Sequence, residues 1–515
     1  MSKKVGSKWT LVAKVLTLSA LCLSTYAIAA PTTTASPAVP KYIFYFIGDG
    51  MSFPQATSLG VYRGTIDNSF VGTLAQPTPD NPPKASMPVF ASFPVLGAAT
   101  TYDASKFITD SAAAATALAT GYKALDGGVG VDAFNRPHPS IATLLKEKNN
   151  YKVGIISSVS IDHATPAGFY AHQTSRNKYY DIGLDLSNSN FDYFGGGGFK
   201  KPTGYDGTQK NLVDIAKQAG YTYVNSKVDF DALKPKEGQK VLAINAILDT
   251  PSDAALDYSI DRNSQDLTLA DYTKKGVELL MNDTGFFMMI EGGKIDWAAH
   301  ANDAATLIHD VASLEDAVNV ALDFYAAHPD ETLIIVTGDH ETGGFGIGFG
   351  ATGYDTYFNV LASQKISGQK YSRDYITKYR NEQIGFEQVL QDIESLFGLY
   401  QATSPQAKDN PRAVLSERDI VILHQGYLES LIPYDKRPYR KTDGYRIEYS
   451  YYDQEPLQIA VTHILNGKAG LGWTTTAHTG LPAAVYAKGV GQESFSGIYE
   501  NTEIPRKMMS LTLVD

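Results

Sequence analysis

Four short stretches of this chain are apolar throughout, and they constrain its fold more than any other feature. They are Tyr42–Ile47, Val153–Ile156, Phe286–Ile290 and Leu333–Val336. Each has the length of a strand, and none alternates with polar residues. A strand that is apolar on both faces belongs in the middle of a parallel sheet, with helices covering both sides. The residues just past each run are equally informative. The first run leads into Gly48-Asp49-Gly50, the second into Ser157-Ser158 and then Asp162-His163-Ala164-Thr165. The third ends in Glu291-Gly292-Gly293 and the fourth in Gly338-Asp339-His340. Acidic and polar groups thus gather past the carboxyl ends of the strands, the edge at which open α/β sheets bind ligands. The pattern predicts an α/β fold: a central, mostly parallel sheet with helices on both faces.

Two helices are readable. Ser111–Thr120 is Ala-rich and stops at Gly121, a residue suited to a helix end. A longer helix is expected over 297–328, where Leu307, Val311, Leu314, Val318 and Leu322 recur at helical spacing. Thirteen of the 32 tyrosines fall within 346–470, some in runs such as Tyr449-Ser450-Tyr451-Tyr452. We read 346–470 as an insertion with its own surface, either a contact face or a packed cap. It divides a catalytic domain into 30–345 and 471–515.

The first 29 residues read as a signal peptide. Lys3, Lys4, Lys8 and Lys14 precede an apolar run over Val15–Leu23, and Ala27-Ile28-Ala29 offers a cleavage site. The run is shorter than the ~20 residues of a membrane span. The expected product is therefore periplasmic or secreted, with no membrane attachment after cleavage. Losing this leader takes the formal charge from −11 to −15. A protein this acidic is not held to nucleic acid by a basic face. Cys22, the one cysteine, lies inside the leader, which excludes a disulfide framework and a cysteine zinc site. An acidic protein that handles anions needs concentrated local positive charge, and metal ions supply it.

The residues at the strand ends are of the right kind. Asp296 and His300 stand four apart at the start of the long helix, on one face. There they can share a divalent cation. Glu291, at the end of a buried strand, is costly unless paired or metal-bound. Asp49, Asp339 and His340 end two further strands, and His478, in Thr474–Gly480, is another candidate. Together they point to a site for several metals. His138, His172, His309, His328, His424 and His463 have no carboxylate at obvious ligand spacing and read as structural.

Thr109-Asp110-Ser111 opens the Ala-rich helix. As a bland reading it is an N-cap. As a sharper one it presents a serine nucleophile at a helix N-terminus, where negative charge is favoured. No neighbouring histidine suggests a triad, so a metal would have to activate the hydroxyl.

These motifs resemble alkaline phosphatase. The resemblance is carried in order by Phe46–Met51, Thr109–Ala113, Thr165-Pro166-Ala167, Thr174-Ser175-Arg176, Glu291–Asp296, Thr337–Gly344 and Ala477–Gly480. The insertion makes the chain look most similar to the marine bacterial subgroup with a long surface loop. The resemblance implies that Asp296, His300 and His478 hold one Zn2+, and that Asp49, Asp339 and His340 hold a second beside Ser111. It implies one Mg2+ on Asp49, Thr165 and Glu291, and Arg176 gripping phosphate. It also implies a homodimer that cleaves phosphate monoesters with varied leaving groups. His163 and Trp297 depart from the best-known bacterial pattern, in which Asp and Lys stand, and are expected to alter the surroundings of the metals and phosphate. Four carboxylates and a serine alkoxide nearly balance three divalent cations, and Arg176 tips the site positive.

A phosphodiesterase or sulfatase of the same superfamily is the alternative reading. A metal- or phosphate-binding protein without turnover is a more distant one. The glycines of 195–198 and 343–350 lack the strand-turn-helix setting of a dinucleotide site.

Overall fold

The computed structural model describes residues 39–67, 82, 84–437 and 454–514. The leader and the Tyr449–Tyr452 run lie outside them. Among the described residues, no helix is long and apolar enough to cross a membrane.

The apolar runs become strands β1 (Tyr42–Gly48), β3 (Lys152–Ser157), β7 (Phe286–Gly292) and β8 (Thr332–Gly338). They lie side by side, all parallel, in the order β8-β1-β7-β3. The sheet continues beyond β3 through β4 (Tyr193–Gly196), β6 (Lys240–Ile244) and β5 (Tyr221–Val224). Beyond β8 come β9 (Ala483–Gly489), β2 (Val95–Thr100) and β10 (Gly497–Glu500), of which β9 alone runs against its neighbours.

Both faces of the central strands are buried, as their composition requires. Tyr42, Phe44 and Phe46 of β1 enter one hydrophobic core, with Phe286, Met288 and Ile290 of β7. The intervening Ile43, Tyr45 and Ile47 enter the core on the other face, with Phe287 and Met289. That is the two-residue period of a strand serving two helical layers. Register then fixes the site: Gly48 of β1 lies opposite both Gly292 and Gly338, and Ser157 lies opposite Glu291. All four strands end at one level.

The helix expected over 297–328 is two helices, Lys294–His300 and Ala304–Ala327. Asn302 takes a left-handed φ of 45°. Asp303 then caps the second helix, accepting from the Thr306 amide at 3.2 Å. Leu307, Val311, Leu314 and Val318 bury the expected face against the sheet core.

Within 346–470, Phe358, Leu361, Tyr371, Tyr379, Leu457 and Val461 are buried in the same core as Phe44 and Leu314. Tyr354, by contrast, is fully exposed. His138 and His328 do find carboxylates, contrary to the spacing argument. His138 Nε2 lies 3.0 Å from Asp132, and His328 Nδ1 lies 3.7 Å from Glu331.

Candidate metal centre

The strand-end residues converge in three groups whose potential ligand atoms lie within 4.8 Å of one another: Asp296, His300 and His478; Asp49, Asp339 and His340; and Asp49, His163 and Glu291. Asp49 belongs to two of them, so the groups are contiguous.

Local structure explains each placement. Asp296 and His300 share a face of the Lys294–His300 helix, with His300 Nε2 at 3.3 Å from Asp296 Oδ2. His478 arrives from far along the chain on a two-residue strand, where it pairs with Thr342 and Thr479 pairs with Glu341. The buried Glu341 holds that corner by accepting from Gln55 Nε2 at 2.7 Å, from the amides of Gly344 and Phe345, and from the Thr479 hydroxyl. Gly50 is obligatory at its position. Its φ is +69°, and an added Cβ would lie 2.8 Å from Asp296 Oδ1 and from Thr342 Oγ1. Its amide donates to Asp339 Oδ1 at 3.0 Å.

Hydrogen-bond accounting tests whether cations fit. His300 Nδ1 meets the carbonyl of Thr476, and His478 Nδ1 meets that of Thr109 at 2.7 Å. Carbonyls only accept, so both Nδ1 atoms carry a proton, and each ring when neutral turns a lone pair on Nε2 inward. Those two Nε2 atoms face each other at 3.2 Å, beside the Asp296 carboxylate. Three acceptors facing one another repel unless a cation lies among them.

The second group has the same character. His340 Nε2 is 3.1 Å from Ser111 Oγ, 3.4 Å from Asp49 and 3.3 Å from Asp339. One ring nitrogen cannot satisfy three oxygens. Both Asp49 oxygens, Asp339 Oδ2, Glu291 Oε1 and Thr165 Oγ1 are buried with no hydrogen-bond partner among the described residues. Buried oxygens are rarely left unsatisfied, and a carboxylate-rich set of them suits hard divalent cations. The donors present therefore fit metals at all three groups.

The electrostatics agree. Burial, then repulsion from Asp339, pushes Asp49 well above the usual carboxylate range. Burial likewise raises Asp339 to about 7 and Glu291 to about 8, with neighbouring carboxylates adding to both. Asp296 differs: burial pushes it up, but His300 and the other imidazoles hold it well below. Burial lowers His340, His163 and His478, which favours their neutral forms. Burial lowers His300, but the Asp296 carboxylate and the Thr476 carbonyl together raise the ring.

Ser111 is the first residue of the helix Ser111–Thr120, and it is buried. A histidine does neighbour it in space, His340, although none is near in sequence. That nitrogen is shared with two carboxylates, a setting that suits a metal ligand better than a general base. Asp110, read from sequence only as a cap, does more. It accepts from the amides of Ala112 (3.2 Å), Ala113 (3.0 Å) and Gly127 (3.0 Å), and from Arg176 Nη1 (3.2 Å). Arg176 Nη2 also reaches His163 Nε2 at 3.3 Å. A guanidinium only donates, so Nε2 is the acceptor there. His163 thus lies within the third group as well as beside Arg176, and Trp297 packs edge-on to its ring at 5.9 Å.

The family model described as alkaline phosphatase matches residues 40–514. Alkaline phosphatase 4 of Bacillus subtilis is 31% identical over 473 residues, covering 90% of this chain and 87% of that protein. Alkaline phosphatase of Escherichia coli is 30% identical over 348 residues, covering 58% of this chain and 70% of its own. Among solved structures, the cold-active alkaline phosphatase of a psychrophilic Shewanella superposes with a TM-score of 0.71 at 26% identity, covering 92% of this chain and 99% of that one. A variant of the alkaline phosphatase from the Antarctic bacterium TAB5, solved with Mg bound in its M3 site, gives 0.58 at 24% identity, covering 93% and 99%.

Proposed function

From the premise that this chain belongs to the alkaline phosphatase family and is a metal-dependent phosphomonoesterase, we propose that it works through a phosphoserine at Ser111 and three divalent cations. Asp296, His300 and His478 would hold one Zn2+, and Asp49, Asp339 and His340 the second. Asp49, Thr165 and Glu291 would hold Mg2+, with His163 beside it. The observation that carries the reading is the single nitrogen of His340 facing Ser111 Oγ, Asp49 and Asp339 together.

Bound there, divalent cations would neutralise the carboxylates, acidify the serine hydroxyl and water, and draw charge from the leaving oxygen. The protein's own part is positioning, the main requirement of phosphoryl transfer. Ser111 Oγ sits at a helix N-terminus, where negative charge is stabilised. As it bonds to phosphorus, the bond to the leaving oxygen breaks and the alcohol departs with a proton. Water then cleaves the Oγ–phosphorus bond and releases inorganic phosphate. Arg176 offers two parallel N–H groups to two phosphoryl oxygens, while Asp110 and His163 hold its guanidinium from behind.

The test is acid quenching during turnover of a labelled phosphate monoester, followed by peptide mapping. Label on Ser111 is expected. Ser111→Ala should lose the label and at least about 3 kcal/mol of transition-state stabilisation, roughly a hundredfold in rate. Label on any other residue overturns the assignment. We also propose that the leader directs export, that 346–470 is an insertion, and that the protein is a homodimer.

A further inference from the structure

A buried ion pair lies beside this site, and neither partner belongs to the metal groups. Lys294 Nζ is 2.5 Å from Asp249 Oδ2, and the two side chains are 1% and 3% exposed. Burying two charges costs several kcal/mol before their attraction offsets it. Lys294 stands between Glu291 and Asp296, on the turn of chain that delivers both. Its ammonium lies over two rings, 3.8 Å from the centroid of Tyr258 and 4.6 Å from that of Trp297. Its amide donates to Ser158 Oγ at 3.3 Å, in the loop that ends at His163. From Trp297 the contacts run on: its ring meets His163 edge-on, and His163 Nε2 accepts from Arg176 Nη2.

We infer that Lys294 and Asp249 form a positioning pair for phosphate recognition. The carboxylate fixes the ammonium, and the ammonium holds the Trp297 ring by cation–π attraction. The ring backs His163, and His163 supplies the lone pair that keeps one arm of Arg176 in place. Without the pair, Trp297 and His163 gain freedom, and Arg176 has to be ordered each time phosphate binds. The effect falls on binding of the phosphoryl group, in substrate and product alike, rather than on the reacting atoms. The inference rests on the assignment of phosphate to Arg176.

The experiment compares the metal-loaded wild type with Lys294→Met, Asp249→Asn and Arg176→Ala, using a chromogenic phosphomonoester and inorganic phosphate as competitor. For Lys294→Met, KM and the inhibition constant of phosphate should rise together, about three- to tenfold, while kcat changes less than twofold. That is the scale expected for losing one ordering contact. Asp249→Asn should move the same two constants in the same direction, which covers the case in which one variant fails to fold. A merely structural pair would lower the melting temperature and leave the inhibition constant alone. If that is the outcome while Arg176→Ala weakens phosphate binding, the positioning role is overturned and the assignment to Arg176 stands. If Arg176→Ala leaves phosphate binding unchanged, the assignment itself falls.

Discussion

Stripping the metals from this protein should make its stability depend on pH with a predictable sign. Asp49, Asp339 and Glu291 are buried at one sheet edge, and burial and mutual repulsion raise all three. An acid whose folded-state pKa is raised favours the folded chain while protonated. That contribution is complete below its ordinary value and disappears as pH climbs through the raised one. For Asp339 the window closes near 7 and for Glu291 near 8. Between pH 6.5 and 9, Glu291 therefore loses about one and a half units' worth and Asp339 about half a unit, or about 3 kcal/mol together at 1.36 kcal/mol per unit. Their shared repulsion keeps the sum near that figure rather than above it. His163, His340 and His478 have lowered values. They oppose the trend in part: each is half charged at pH 6.5 in the unfolded chain and returns about 0.4 kcal/mol as pH rises to 9, about 1 kcal/mol for the three. At about 2 cal/mol/K of unfolding entropy per residue, the remaining 2 kcal/mol or so moves the midpoint of a chain this long by about 2 °C. Thermal unfolding in excess chelator should show that fall between pH 6.5 and 9. With Zn2+ and Mg2+ restored that fall should disappear, because bound cations keep the carboxylates ionised and stabilised. A chelated protein whose midpoint is flat or rises over this range would refute the reasoning.

Two further variants probe the phosphate side. Arg176→Lys keeps the charge and loses the fork, so KM and the phosphate inhibition constant should each rise about tenfold, measured by steady-state kinetics. Asp110→Ala removes a cap and leaves the amides of Ala112, Ala113 and Gly127 without their acceptor. It should cost about 2 kcal/mol in urea unfolding of the metal-loaded protein.

The sheet and the gathering of acids and imidazoles at one edge of it are legible because both arise from simple costs. Tyr42–Ile47 is apolar at every position because it serves two cores, and the structure divides its side chains between those cores alternately. A carboxylate such as Asp49 or Glu291, placed just after such a run, has no cheap role other than pairing or metal binding. The resemblance to a family added the partition of these residues among three cations, which no spacing argument supplies. Contacts made across the chain were beyond the reach of spacing. His340 reaches Ser111 over 229 positions, and His138 meets Asp132 through a turn rather than a helix.

The broken helix shows how a weak local signal carries function. The heptad-like spacing of Leu307–Leu322 is real, but it begins only after Asn302-Asp303, a pair made of a residue that tolerates left-handed backbone and a good N-cap. Read with that weight, the two residues would have divided the segment. The break is also useful. Asn302 Nδ2 donates to the carbonyl of Thr475 at 3.0 Å, and its own carbonyl accepts from Asn466 Nδ2 at 2.6 Å. The turn thereby ties down the 474–477 loop, whose Thr476 carbonyl fixes His300 and whose next residue is His478. An unbroken helix would keep Asp296 and His300 on one face yet leave no turn to hold the loop that brings His478 to them. Completing the first metal group therefore depends on ending the helix where Asn302 ends it.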